Sequence, residues 1–133
     1  MTKENLETFR DSLEAFDRRD KASWLETRHR DYEVITSNES PEGDVRGRDA
    51  AWDFYVTIAD AFERRPFSDD IEVMDGGPDK VVVHQRNDAR GRESGVNVEI
   101  DYWVVVSFRD GKMIRDQWFE DRDEALEAAR LSG

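Results

Sequence analysis

Leu6, Phe9, Leu13 and Phe16 recur at spacings of three and four, with Glu, Asp and Arg between them. One apolar stripe against charge predicts an amphipathic helix. Asp20 suits the N-cap of a short second helix that carries Trp24 and Leu25. From Tyr32 to Thr36 the residues are mostly β-branched or aromatic, which predicts a strand with Tyr32, Val34 and Thr36 on one face. Asn38 to Gly47 reads as a turn-rich loop around Ser40-Pro41-Glu42-Gly43. A third helix is predicted from Arg48 or Asp49 to about Arg64. Its apolar face is Ala51, Trp52, Tyr55, Ile58, Ala59 and Phe62, with Asp49 at the positive end and Pro66 as the stop.

The period then changes. Ile71 to Met74 predicts a strand that ends at Gly76-Gly77-Pro78-Asp79, and Val81 to Arg90 predicts the next, broken by the turn from Gly91 to Gly95. Val96 to Phe108 is long enough to need a bend or a bulge. Arg109-Asp110-Gly111-Lys112 is a hairpin signal, and Met113 to Phe119 completes the meander. Asp121 with Glu124 caps a last helix bearing Ala125, Leu126 and Ala129. Successive hairpins call for an antiparallel sheet, and the amphipathic helices must cover one of its faces. The expected fold is therefore α+β: a curved antiparallel sheet, a cone-shaped half barrel, wrapped by three to four helices around a pocket.

Composition narrows the function. The chain has 133 residues, 37% apolar and 39% charged, which is consistent with one domain over residues 1–133. There is no Cys and there are two His, so disulfides and thiolate or imidazole-rich metal sites are not expected, nor is a cofactor. A net charge of −12 argues against nucleic acid. The opening Met-Thr-Lys-Glu-Asn-Leu-Glu-Thr-Phe has no apolar signal core, and no run approaches the roughly 20 apolar residues of a membrane span. A cytoplasmic protein that engages no membrane is expected.

Several stretches together resemble the SnoaL-like branch of the nuclear-transport-factor-two-like superfamily, which includes the ketosteroid isomerases. They are the aromatic first helix, Asp31 opening the first strand, and Val45-Arg46-Gly47-Arg48-Asp49 before the third helix. Further on come Arg90-Gly91-Arg92-Glu93-Ser94-Gly95, Phe108-Arg109-Asp110-Gly111-Lys112-Met113-Ile114, and Phe119-Glu120-Asp121 ahead of Glu124-Ala125-Leu126. The resemblance implies a pocket inside the cone for a small apolar or polycyclic molecule, and a homodimer formed through the outer sheet face. Trp103, alternating with Asp101, Val105 and Ser107, is expected on that outer face, where an exposed aromatic would suit an interface.

The same resemblance suggests which residues line the pocket: Trp24, Tyr32, Val34, Thr36, Trp52, Tyr55, Tyr102, Val104 and Trp118. The Asp positions used by ketosteroid isomerases correspond here to Thr36 and Val104, which cannot act as bases at neutral pH. Limonene-epoxide hydrolases place an Arg-x-Asp pair on one strand and an Asp on the last. Arg86-Asn87-Asp88 reproduces the pair, and Asp116 lies two residues before the partner position, Trp118. SnoaL-type cyclases require one acid-base carboxylate, for which Asp116 is the natural candidate, with His84 as a titrating partner. Alternation along Val82, His84, Arg86 and Asp88 would put those residues inward. The competing reading for Asp116 is a salt bridge to Arg86 or Arg115, and for His84 a satisfied core or rim histidine. Two functions stay open. One is an isomerase, cyclase or hydrolase that uses Asp116, His84, Arg86 and Asp88 on a small apolar substrate. The other is a non-catalytic ligand-binding or dimerisation module.

Overall fold

Thr2 Oγ1 accepts the Asn5 amide at 3.1 Å and starts α1 (Lys3–Asp17), whose buried face includes Phe9, Ala15 and Phe16. Asp20 caps α2 (Lys21–Glu26) through the Ser23 amide, and α3 (Arg48–Asp60) follows Gly47. The chain is described here by a computed structural model covering residues 2–36, 44–63 and 71–131. The expected loop at Ser40-Pro41-Glu42-Gly43 and the Pro66 stop lie outside the described residues, as does the acidic pair Asp69-Asp70. Helix α3 ends at Asp60, with Ala61 as its C-cap, short of the Arg64 expected from sequence.

Among the described residues, six strands form one sheet in the order β2-β1-β6-β5-β4-β3. They are β1 (Arg28–Ile35), β2 (Val45–Arg46), β3 (Ile71–Asp75), β4 (Lys80–Arg90), β5 (Asn97–Arg109) and β6 (Lys112–Phe119). A last helix, α4 (Arg122–Leu131), follows. The α+β architecture expected from the periodicities is therefore the one observed, and β3 to β6 pair as successive antiparallel hairpins. Asp110 and Gly111 both have positive φ, 54° and 76°, as a two-residue hairpin turn that follows the sheet twist requires.

Two features were not read from sequence. The short β2 falls inside the segment expected to be loop. β1 lies parallel to β6, with Val34 opposite Asp116, so the sheet is mixed rather than wholly antiparallel. These two strands are joined by most of the chain, not by a hairpin, and no turn imposes an antiparallel sense on them.

Both faces of the sheet are covered. Helices α1 to α3 pack on one face, where Trp24, Tyr32, Val34, Val81 and Val106 form the main core. On the other, α4 buries Ala125 and Ala129 against Val82, Trp103 and Val105. Trp103 is therefore buried within the chain, not displayed for a partner. It is 9% exposed and stacks on the His84 ring with centroids 4.0 Å apart. Among the described residues, no helix is long and apolar enough to cross a membrane.

Candidate functional site

Asp116 sits in the middle of β6, between β1 and β5, opposite Val34 and Val106. The β5–β6 register slips between Ser107 and Phe108, pairing Phe108 with Met113 and Ser107 with Arg115. That bulge at Ile114 lets Met113 and Asp116, three residues apart, both face inward.

Two tyrosines hold the carboxyl group. Tyr32 comes from β1, two residues before Val34, and Tyr55 from the buried face of α3. Each hydroxyl donates to Asp116 Oδ2 at 2.7 Å. Burial pushes both phenols well above their ordinary pKa of 10.0, and the nearby Asp116 charge pushes them further. They therefore stay protonated and act as donors. Asp116 Oδ1 has no hydrogen-bond partner among the described residues, although the residue is only 6% exposed.

Asp116 lies on the wall of a cavity of about 320 Å3. The helical side is built by Phe9, Leu13 and Phe16 of α1, Trp24 of α2, and Tyr55 and Ile58 of α3. The sheet side includes Val83 and Gln85 of β4, Tyr102 and Val104 of β5, and Trp118 of β6. Trp118 packs against Tyr102 at 5.5 Å and Tyr55 at 6.0 Å between centroids. Arg28, at the start of β1, also reaches the wall, with its guanidinium 3.7 Å from the Trp24 ring centroid.

Among the residues singled out from sequence, Trp24, Tyr55, Tyr102, Val104, Trp118 and Asp116 come together on this wall. Tyr32, Val34, Thr36 and Trp52 are buried beside it without forming part of it. His84, Arg86 and Asp88 are on the other side of the sheet. His84 Nε2 lies 2.7 Å from Asp101 Oδ1, Arg86 meets Glu99 at 3.5 Å, and Asp88 is exposed. The inward set on β4 is Val81, Val83 and Gln85, so alternation counted from Val82 is out of phase by one residue. The reason is local. Val81-Val82-Val83 is a continuous apolar run because both sheet faces are covered there, and such a run carries no phase.

Neither expected salt bridge to Asp116 forms, since Arg115 pairs with Glu33 at 2.9 Å and Arg86 with Glu99. His29 is half-buried, and its Nδ1 accepts the Asp31 amide at 3.1 Å. Arg28 and Gln85 are wall residues that the sequence reading missed. A signal for Arg28 existed, because alternation run back from Tyr32 puts it on the Tyr32 face. Among the described residues, no cluster of His, Asp and Glu is arranged to hold a metal ion.

Comparison with known proteins agrees with the geometry. Residues 9–116 match the SnoaL-like domain family. An NTF2-like protein of unknown function from Burkholderia pseudomallei superposes with a TM-score of 0.72 at 21% identity, covering 95% of this chain and 97% of that one. An NTF2-like protein from Burkholderia xenovorans gives 0.69 at 23% identity, covering 97% of each chain. TerC, co-crystallized with polyporic acid, gives 0.68 at 20% identity, covering 96% of this chain and 98% of that one. At these identities the likeness is one of fold. No curated protein gives a significant sequence match.

Proposed function

The chain belongs to the SnoaL-like family, and from that premise we propose that its cavity binds a small, largely apolar ring compound on which Asp116 performs proton transfer. One observation carries this reading. A buried carboxyl on the cavity wall has one oxygen occupied by two tyrosine hydroxyls and the other without a partner. Because both phenols donate to Oδ2, a proton taken up by Asp116 goes to Oδ1. Asp116 can thus remove a proton beside a substrate carbonyl and return it to another atom of the same molecule. That is the net chemistry of an isomerisation, or of a cyclisation in which the carbanion attacks a second carbonyl. The Trp118 indole N–H and the Arg28 guanidinium, also on the wall, are donors suited to the oxyanion that develops. The hydrolase variant has less support, since Arg86 and Asp88 do not line the cavity. TerC, a structural neighbour, was crystallized with an organic acid, which is compatible with a cavity of this kind.

The second reading is non-catalytic binding in the same cavity. It is favoured by the lack of a second carboxylate or a His beside Asp116 among the described wall residues. In either case the proposal includes a cytoplasmic homodimer, checked by sedimentation equilibrium. The two readings are separated by thermal-shift screening against ring ketones and quinones, followed by turnover assays on the hits. A native-like ligand raises the Tm by mass action. On the catalytic reading, Asp116→Asn keeps binding and loses turnover. Unchanged turnover by that variant removes Asp116 from the chemistry, and a screen without any hit removes the binding reading.

A further inference from the structure

Arg28 is a buried cation. It is 4% exposed, and no carboxylate among the described residues pairs with it. Nη1 donates to Thr27 Oγ1 at 2.8 Å, whereas Nε has no hydrogen-bond partner among the described residues. The guanidinium rests 3.7 Å from the Trp24 ring centroid and 5.2 Å from that of Tyr32. Taking a charge out of water is costly, and cation–π contact offsets only part of that cost. The Asp116 carboxyl does not neutralise Arg28 by contact, because its Oδ2 is occupied by Tyr32 and Tyr55 and its Oδ1 has no partner.

A second observation points the same way. Gln85 Nε2 and Trp118 Nε1 are also buried N–H donors without partners among the described residues, and both side chains line the cavity. The wall therefore offers three unmatched donors, on Arg28, Gln85 and Trp118, against one unmatched acceptor, Asp116 Oδ1. A hydrocarbon in the cavity would leave all four unsatisfied, each at the desolvation cost of an unpaired buried polar group. A ligand rich in acceptor oxygens would satisfy the three donors. Gln85 can turn its amide toward such an oxygen about its last, broad torsion.

We propose that the ligand is an aromatic or polycyclic compound bearing an ionised oxygen, a carboxylate or an acidic enol, and that this oxygen pairs with Arg28. The inference rests on the reading of the cavity as a binding site. The ring system lies against the aromatic wall, the ionised oxygen meets Arg28 Nε, and neutral carbonyl oxygens face Gln85 and Trp118. Arg suits this role because its guanidinium stays charged when buried, where a Lys would tend to lose its proton.

The test measures binding of two matched pairs by quenching of tryptophan fluorescence: naphthoate against methyl naphthoate, and hydroxynaphthoquinone against methoxynaphthoquinone. At neutral pH the ionised member of a pair should bind about tenfold more tightly than its neutral isostere or better. Which pair shows the larger ratio distinguishes carboxylate from enolate. Arg28→Met should abolish the ratio by weakening the ionised member more than the neutral one, and Arg28→Lys should restore part of it. In wild-type protein, affinity should fall as pH drops through the ligand's own ionisation, which tests the inference without any variant. Neutral isosteres binding as tightly as the ions, with no effect of Arg28→Met, overturns the anion inference and leaves the binding reading standing. If neither member of either pair binds, both are overturned.

Discussion

Tyr32 and Asp116, from neighbouring parallel strands, meet where the Tyr32 hydroxyl donates to Asp116 Oδ2 at 2.7 Å. Tyr55 donates to the same oxygen at the same distance from α3. This three-residue cluster ties a helix to the centre of the sheet and leaves Asp116 Oδ1 without a hydrogen-bond partner among the described residues.

The identity of residue 116 should matter differently for folding and for chemistry. In Asp116→Asn the amide oxygen can accept both phenols, so stability in urea unfolding should change by less than about 1 kcal/mol. Asp116→Leu removes the shared acceptor, and its cost should reach about 2 kcal/mol. Equal costs for the two variants would show that the tyrosines do not depend on this acceptor.

The two tyrosines should be energetically coupled. Tyr32→Phe and Tyr55→Phe each remove a hydrogen bond to a charged group, worth about 1.5–3 kcal/mol. A single variant leaves the buried carboxyl with one donor, and the double variant leaves it with none. The double variant should therefore lose more than the sum, by about 0.5 kcal/mol or more in a double-mutant cycle. Strict additivity would mean that the two hydroxyls act independently.

Alkali should unfold the protein with a slope set by these phenols. Their folded pKa values are raised above 10.0, by burial first and by the Asp116 charge second. Below pH 10 both states hold the protons and stability does not depend on them. Above it the unfolded chain loses protons that the folded chain keeps, so stability falls as pH rises, by roughly 1 kcal/mol per pH unit for each tyrosine. Denaturant titrations from pH 9 to pH 11 should show this decline, shallower in Tyr55→Phe. An unchanged slope in that variant would contradict the burial of the phenol.

His84 should matter to the outer face and not to the cavity. It stacks on Trp103 at 4.0 Å and contacts Asp101, across the sheet from Asp116. His84→Ala should cost about 1 kcal/mol of stability and leave ligand affinity unchanged in the same fluorescence titration. Loss of ligand binding in a variant that remains folded would bring His84 back to the site.

The sequence by itself determined the helices, the four-strand meander and the α+β class, because spacings of three and four, alternation, and turn residues such as Asp110-Gly111 act locally. The family resemblance, rather than periodicity alone, pointed to Asp116 and to Trp118, Tyr102 and Val104, which lie on the cavity wall. The sequence did not determine the phase of β4, where Val81-Val82-Val83 is apolar on both faces, so His84, Arg86 and Asp88 were expected on the wrong side. Nor did it reveal that β1 runs parallel to β6, because no turn joins them. Only the tertiary structure brings the Tyr32 and Tyr55 hydroxyls onto one oxygen of Asp116 and leaves Arg28 buried without a counter-charge among the described residues. Such contacts span up to 84 residues of sequence, and no local pattern records which distant group will meet a given side chain.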